Sequence, residues 1–153
     1  MVLPASSREF FMIMNDGFID GNAIQKNALT LAFIGDAVFE RYVRELAVSM
    51  IPGAKVRKLH VVCAAAVNCR SQAEILTKLE TELREEELSV VRRGMNSKPH
   101  SIPKHADIDD YLRATGFEAL LGYLELSGNT ERLSEILAKC RESVEEYING
   151  VNK

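Results

Sequence analysis

The 153-residue chain has no tryptophan, three cysteines and four prolines, and each shortage excludes something. Cys63, Cys69 and Cys140 are odd in number and lack the paired spacing of a zinc site, so they read as reduced, structural thiols of a cytoplasmic protein. No apolar run approaches the roughly 20 residues that a membrane span requires. The stretch MVLPASSREFFMIMNDG has neither the basic start nor the small-residue cleavage site of a signal peptide. Strand-like alternation of apolar and polar residues is missing, as is a glycine-rich phosphate loop, which argues against a nucleotide-binding enzyme. The apolar cluster FFMIM, Phe10 to Met14, suits a core or a dimer interface better than a cofactor pocket.

What is present is an ordinary globular composition, 46% hydrophobic and 27% charged, in a chain long enough for one domain with its own core. The formal charge of −3 taken alone argues against nucleic acid as a partner. Its distribution argues otherwise. Leu46 to Ala73 contains no acid but carries Lys55, Arg57, Lys58, His60 and Arg70. Leu88 to Ala106 again contains no acid but carries Arg92, Arg93, Lys98, His100, Lys104 and His105. The acids gather elsewhere, in ETELREEE and RESVEEY. Segregation of this kind attracts polyanions even at negative net charge, although two solvated faces would read the same way.

The periodicity is helical throughout, so the expected fold is all-α. Helices are expected from about Ala23 to Met50, Ala54 to Asn68, Arg70 to Leu79, Thr81 to Arg93 with Gly94 as a stop, Asp107 through Ser127, and Asn129 or Thr130 to Gly150. The first would turn Leu29, Ala32, Phe33, Val38, Tyr42 and Leu46 inward. Residues 1–22 would form an arm or short helix ahead of a domain spanning 23–150. Between the fourth and fifth helices, GMNSKPHSIPKHAD is a loop long enough to suggest function, and its basic charge strengthens the suggestion.

Two acids sit oddly. Asp36 follows Gly35 inside LTLAFIGDAVFERYV, and Glu118 lies between Phe117 and Ala119 in ATGFEALLGYLEL. An unpartnered buried carboxylate is costly, so each must be exposed, paired or holding a cation. Singly, either reads as an ordinary surface or satisfied acid. Together, in matching contexts on two long helices, they suggest one site, and Gly35, Gly116 and Gly122 would let those helices approach closely. Glu40, one turn beyond Asp36, is a secondary candidate. Carboxylates without a Cys–His or Ser–His pair suit a hard cation such as magnesium, which keeps several waters and leaves coordination to substrate phosphates. With basic segments alongside, the inventory points to phosphodiester hydrolysis on nucleic acid.

At this point the motifs resemble a known family. LAFIGDAVFERYVR, Leu31 to Arg44, is similar to the signature helix of ribonuclease III catalytic domains, and FEALLGYLEL, Phe117 to Leu126, to their second acidic helix. RSQAEIL, RRGMNSKPHSIPKHADIDDYLRATGFEALLGYL and GNTERLSEIL resemble the short Mini-ribonuclease III form, which has a catalytic domain and no double-stranded RNA-binding domain. The likeness spans roughly residues 27–137.

The resemblance implies a ribonuclease III-like helical bundle and a cytoplasmic homodimer that cuts double-stranded RNA in a staggered fashion, leaving 5′-phosphate ends. It implies magnesium, for which manganese can substitute, held by Asp36 and Glu118 as catalytic and metal-binding residues. The implied substrate is the paired termini of the 23S ribosomal RNA precursor, with a ribosomal protein as a candidate helper. Where longer members carry further acids, this chain has Leu29, Ala32 and Thr115, so the cation site should be weaker and more hydrated; Thr115 stays a secondary candidate. Without an accessory domain the grip on RNA falls to Arg92, Arg93, Asn96, Ser97, Lys98 and Lys104 around the loop and to Lys55, Lys58, His60 and Arg70 on the preceding helices. Two rival readings are a catalytically silent module that binds structured RNA and a helical adaptor for an acidic protein.

Overall fold

The computed structural model describes residues 19–98 and 101–152, so most of the expected arm, the Phe10–Met14 cluster and His100 lie outside the described residues. Six α-helices and two short 3-10 turns make an all-α fold, with no strand among the described residues. The helices are α1 Ala28–Met50, α2 Val56–Val67, α3 Cys69–Leu79, α4 Glu85–Met95, α5 Ile108–Leu126 and α6 Thr130–Val151.

α5 organises the bundle. It is apolar almost all round, burying Ala114, Phe117, Ala119, Leu120, Leu121, Leu124 and Leu126, the pattern of a helix with neighbours on every side. It packs against α1, α3, α4 and α6. Phe39 of α1 meets Phe117 of α5 edge to face at 5.0 Å, which fixes the depth at which these two helices cross. A buried fork joins the lower helices. Arg132 of α6 donates to Glu87 of α4 through Nη2 at 2.8 Å and Nε at 2.9 Å, and its Nη2 also reaches the Glu82 carbonyl at 3.0 Å.

The helix boundaries differ from expectation in places with clear causes. α1 starts at Ala28, not Ala23, because the Asn27 side chain accepts from the Leu29 amide at 2.8 Å and caps it there; Ala23–Gln25 is a separate 3-10 turn. α4 starts at Glu85, since Glu80–Glu82 is a second 3-10 turn. Gly94 is not a stop but a buried helical residue, and α4 runs one residue past it. A β-carbon there would stand 2.7 Å from the Gly116 Cα, so Gly94 serves the contact with α5. Gly150 likewise lies inside α6. Only Gly53 and Gly128 take positive φ among the described residues, each ending a helix segment as a left-handed glycine does. Phe33 is not inward: it is 78% exposed, because α1 meets its neighbours on the opposite side of the helix.

Side chains as well as backbone hold the turn between α2 and α3. Asn68 closes one helix and opens the next: its Nδ2 donates to the Ala64 and Ala65 carbonyls, and its Oδ1 accepts from the Ser71 amide. Ser71 Oγ donates to the Ala65 carbonyl and Gln72 Nε2 to the Val67 carbonyl at 2.8 Å. Three polar side chains thus satisfy the carbonyls that the end of α2 leaves open.

Candidate active site

α1 and α5 touch backbone to backbone. A β-carbon on Gly35 would fall 1.7 Å from the Glu118 carbonyl oxygen, and one on Gly122 would fall 1.8 Å from the Leu31 carbonyl oxygen. No other residue fits at either position. The contact sets Asp36, next in sequence to Gly35, beside Glu118 across the seam, as the glycines in the two motifs led us to expect.

Asp36 is exposed and Glu118 half-buried. Partial burial and the Glu40 carboxylate raise the Asp36 carboxyl above its ordinary value. Burial first, and then the Asp36 carboxylate, push Glu118 up to about 8, while the Gln72 amide facing it acts the other way. Two carboxylates that repel each other at a solvent-open seam form the oxygen donor set that a magnesium ion accepts, with most of its shell left to water and phosphate. The residues present therefore fit a hydrated divalent cation.

Of the secondary candidates, Glu40 acts on Asp36 and also pairs with Arg44 at 3.1 Å, while the buried Thr115 hydroxyl donates to the Tyr111 carbonyl at 3.0 Å and keeps its oxygen lone pairs. Ala32 is a buried methyl in the core. Among the described residues no cluster of three or more His, Cys, Asp or Glu side chains is arranged to hold a metal.

A cleft adjoins the carboxylates. Val67, Asn68, Cys69 and Arg70 line one wall, and Pro103, His105, Ala106, Asp107 and Asp110 the other. Burial, then Glu118 and Asp110, raise the Cys69 thiol, so this wall lies within electrostatic range of Glu118. The cleft brings Arg70 and His105 together; Arg70 also pairs with Glu74 at 3.2 Å. Arg92, Asn96, Lys98 and Lys104 are exposed around the loop, and the Ser97 hydroxyl donates to the Arg93 carbonyl at 2.9 Å.

Arg93 differs from its neighbours. Its guanidinium turns inward and donates to the carbonyls of Ile24 and Lys26, tying the first 3-10 turn to α4, so its charge is spent on the fold. Lys55, Lys58 and His60 belong to the far end of α2, a helix of 12 residues and so roughly 18 Å long. His60 shares a groove there with Arg44, Val48, Val56, Leu59 and Cys63. The sequence placed His105 in a basic segment, as an RNA-facing or merely exposed histidine, and did not single out Gln72. The cluster Asn68, Ser71 and Gln72 in an otherwise apolar stretch was the available signal for the latter.

Over most of its length the chain is similar to known proteins. The ribonuclease III domain family matches residues 29–129. Mini-ribonuclease 3 of Symbiobacterium thermophilum is 44% identical over 124 residues, covering 81% of this chain and 95% of that protein. Mini-ribonuclease 3 of Brevibacillus brevis is 46% identical over 121 residues, covering 78% and 88%. A crystal structure of a Fusobacterium nucleatum protein superposes with a TM-score of 0.68 at 28% identity, covering 76% of this chain and 92% of that one.

Proposed function

Because the chain belongs to the ribonuclease III family, among its Mini-ribonuclease 3 members, and is an endoribonuclease, we propose that it hydrolyses double-stranded RNA with a divalent cation held by Asp36 and Glu118. The observation that carries this reading is the glycine-mediated seam that brings the two carboxylates together at a solvent-open edge. Magnesium, or manganese in its stead, supplies there the positive charge that lowers the pKa of an attacking water and offsets charge developing on the phosphodiester.

The chain's own residues do the rest. Asp36 and Glu118 provide hard oxygen donors, and Glu118 gives up its proton when the cation arrives. Arg70 and His105, facing each other across the adjoining cleft, hold backbone phosphates in reach of the acids. Lys98, Lys104 and Arg92 extend that grip around the loop, while Lys55, Lys58 and His60 meet the duplex farther along. Recognition is by shape and backbone, since no aromatic stacking platform is present at these positions. Arg93 is left out of this grip.

The enzyme acts as a homodimer. Phe33, 78% exposed and one turn before Asp36 on α1, is the anchor of the interface, because a large apolar side chain gains little by facing water. Two sites on one duplex give staggered cuts and 5′-phosphate ends. The substrate is the paired termini of the 23S ribosomal RNA precursor in the cytoplasm, with a ribosomal protein as the helper. Cleavage assays test this directly. An RNA duplex bearing those termini should be cut with magnesium and left intact with a chelator, and its separated strands should resist. Equal cutting of duplex and single strands would refute the substrate assignment.

A further inference from the structure

The Asp36–Glu118 site is short of oxygen. Ala32 offers none, the Thr115 hydroxyl is buried, and Glu40 is drawn toward Arg44. One side chain nearby has oxygen to spare. Gln72, on α3, is 2% exposed, and its Oε1 is the one buried side-chain polar atom without a hydrogen-bond partner among the described residues. The orientation of the amide is fixed by chemistry. The Val67 carbonyl can only accept, so the end of Gln72 that meets it at 2.8 Å is the NH2 group. The same amide faces the Glu118 carboxyl.

Capping α2 explains only half of this side chain. Its donor end satisfies Val67, yet the buried acceptor end has no partner among the described residues. Native proteins rarely tolerate such a group unless a water, an ion or a function accounts for it. A hydrated magnesium ion between Asp36 and Glu118 carries many strongly polarised water protons, and an amide oxygen is a fitting acceptor for one of them.

We propose that Gln72 is a positioning residue of the cation site: Nε2, anchored on Val67, orients Glu118, and Oε1 accepts a hydrogen bond from the hydration shell of the cation held by Asp36 and Glu118. The amide thus supplies outer-shell support at a site where the longer pattern's further acids are replaced by Ala32 and Thr115. This inference rests on the reading of Asp36 and Glu118 as the cation site.

The test reads metal binding without RNA. Manganese affinity is measured by titration calorimetry for the wild type, Asp36→Asn, Gln72→Leu and Gln72→Met, with folding checked by circular dichroism and the metal-free melting temperature. Gln72→Leu and Gln72→Met, which keep bulk and lose the amide, should each weaken manganese binding about 10-fold, the usual effect of losing an outer-shell partner. A structural cap alone predicts folded variants with unchanged affinity, and that result overturns the proposal. The unbranched Gln72→Met side chain keeps the test decisive if Gln72→Leu fails to fold. Failure of the underlying reading looks different: the wild type would not bind manganese, or Asp36→Asn would bind it equally well, and either result takes both claims down.

Discussion

At Glu118, burial and the Asp36 carboxylate act in the same direction, holding the carboxyl near 8 against an ordinary value of 4.5. Between those values the cation-free folded protein keeps a proton that the unfolded chain releases. The linkage therefore makes the cation-free fold lose stability as pH rises through that window. A cation must displace the proton, so its affinity should rise by about tenfold per pH unit until roughly pH 8 and then level off. Magnesium-induced shifts in melting temperature, followed from about pH 6 to about pH 9, read this out; a constant affinity across the lower half of that range would contradict it. The approach of Asp36 to Glu118 was legible in the sequence because two acids in apolar runs, each with glycines nearby, stood in matching contexts on two long helices. Gln72 was not, because a neutral amide beside Asn68 and Ser71 looks like one more helix cap. Arg93 misled because composition reports a charge but not the direction of its side chain.

At the scale of elements, the site depends on two helices touching without side chains between them. Gly35→Ala forces a β-carbon against the Glu118 carbonyl, and the helices must separate or distort. Overpacking of this kind costs about 1–3 kcal/mol and occasionally more. Because the displaced backbone is that of Glu118, cleavage should fall far more than urea-measured stability does. A Gly35→Ala protein with full activity would mean that the seam does not set the acids. The same steric argument explains why Gly94 was misread. A glycine after the two arginines that end a helix suggests a stop, whereas here it lies under Gly116, a relation between segments that no local pattern reveals. The α2–α3 turn was readable to within a residue at Asn68, whereas the start of α1 was not, since Asn22 and Asn27 both offer a cap ahead of it.

Across the whole molecule, the Arg132–Glu87 fork holds α6 to α4 in the interior. Burial alone would raise Glu87, but the Arg132 guanidinium and the Arg84 amide outweigh it and leave the carboxyl below its ordinary 4.5. A depressed carboxylate contributes stability above 4.5 and loses it as pH falls through its folded-state value. Arg132→Met should cost about 3–5 kcal/mol near neutral pH by urea unfolding, because it strands a buried charge, and the deficit should shrink in acid. A neutral-pH change below about 1 kcal/mol would show that water reaches Glu87, as it does at exposed pairs. Phe33→Asp should turn a dimer into a monomer by light scattering without loss of helicity; an unchanged mass would remove Phe33 from the interface. The all-α architecture was legible from periodicity alone, whereas the outward turn of Phe33 was not, since an exposed apolar residue looks like core in a single sequence. The claim on which most rests is that Asp36 is the centre of the chemistry. The direct measurement is magnesium-dependent cleavage of the precursor duplex by wild type and Asp36→Asn, with duplex binding followed in parallel. Staggered products are expected from the wild type, none from Asp36→Asn, and similar binding by both. Equal cleavage by the two proteins would contradict it.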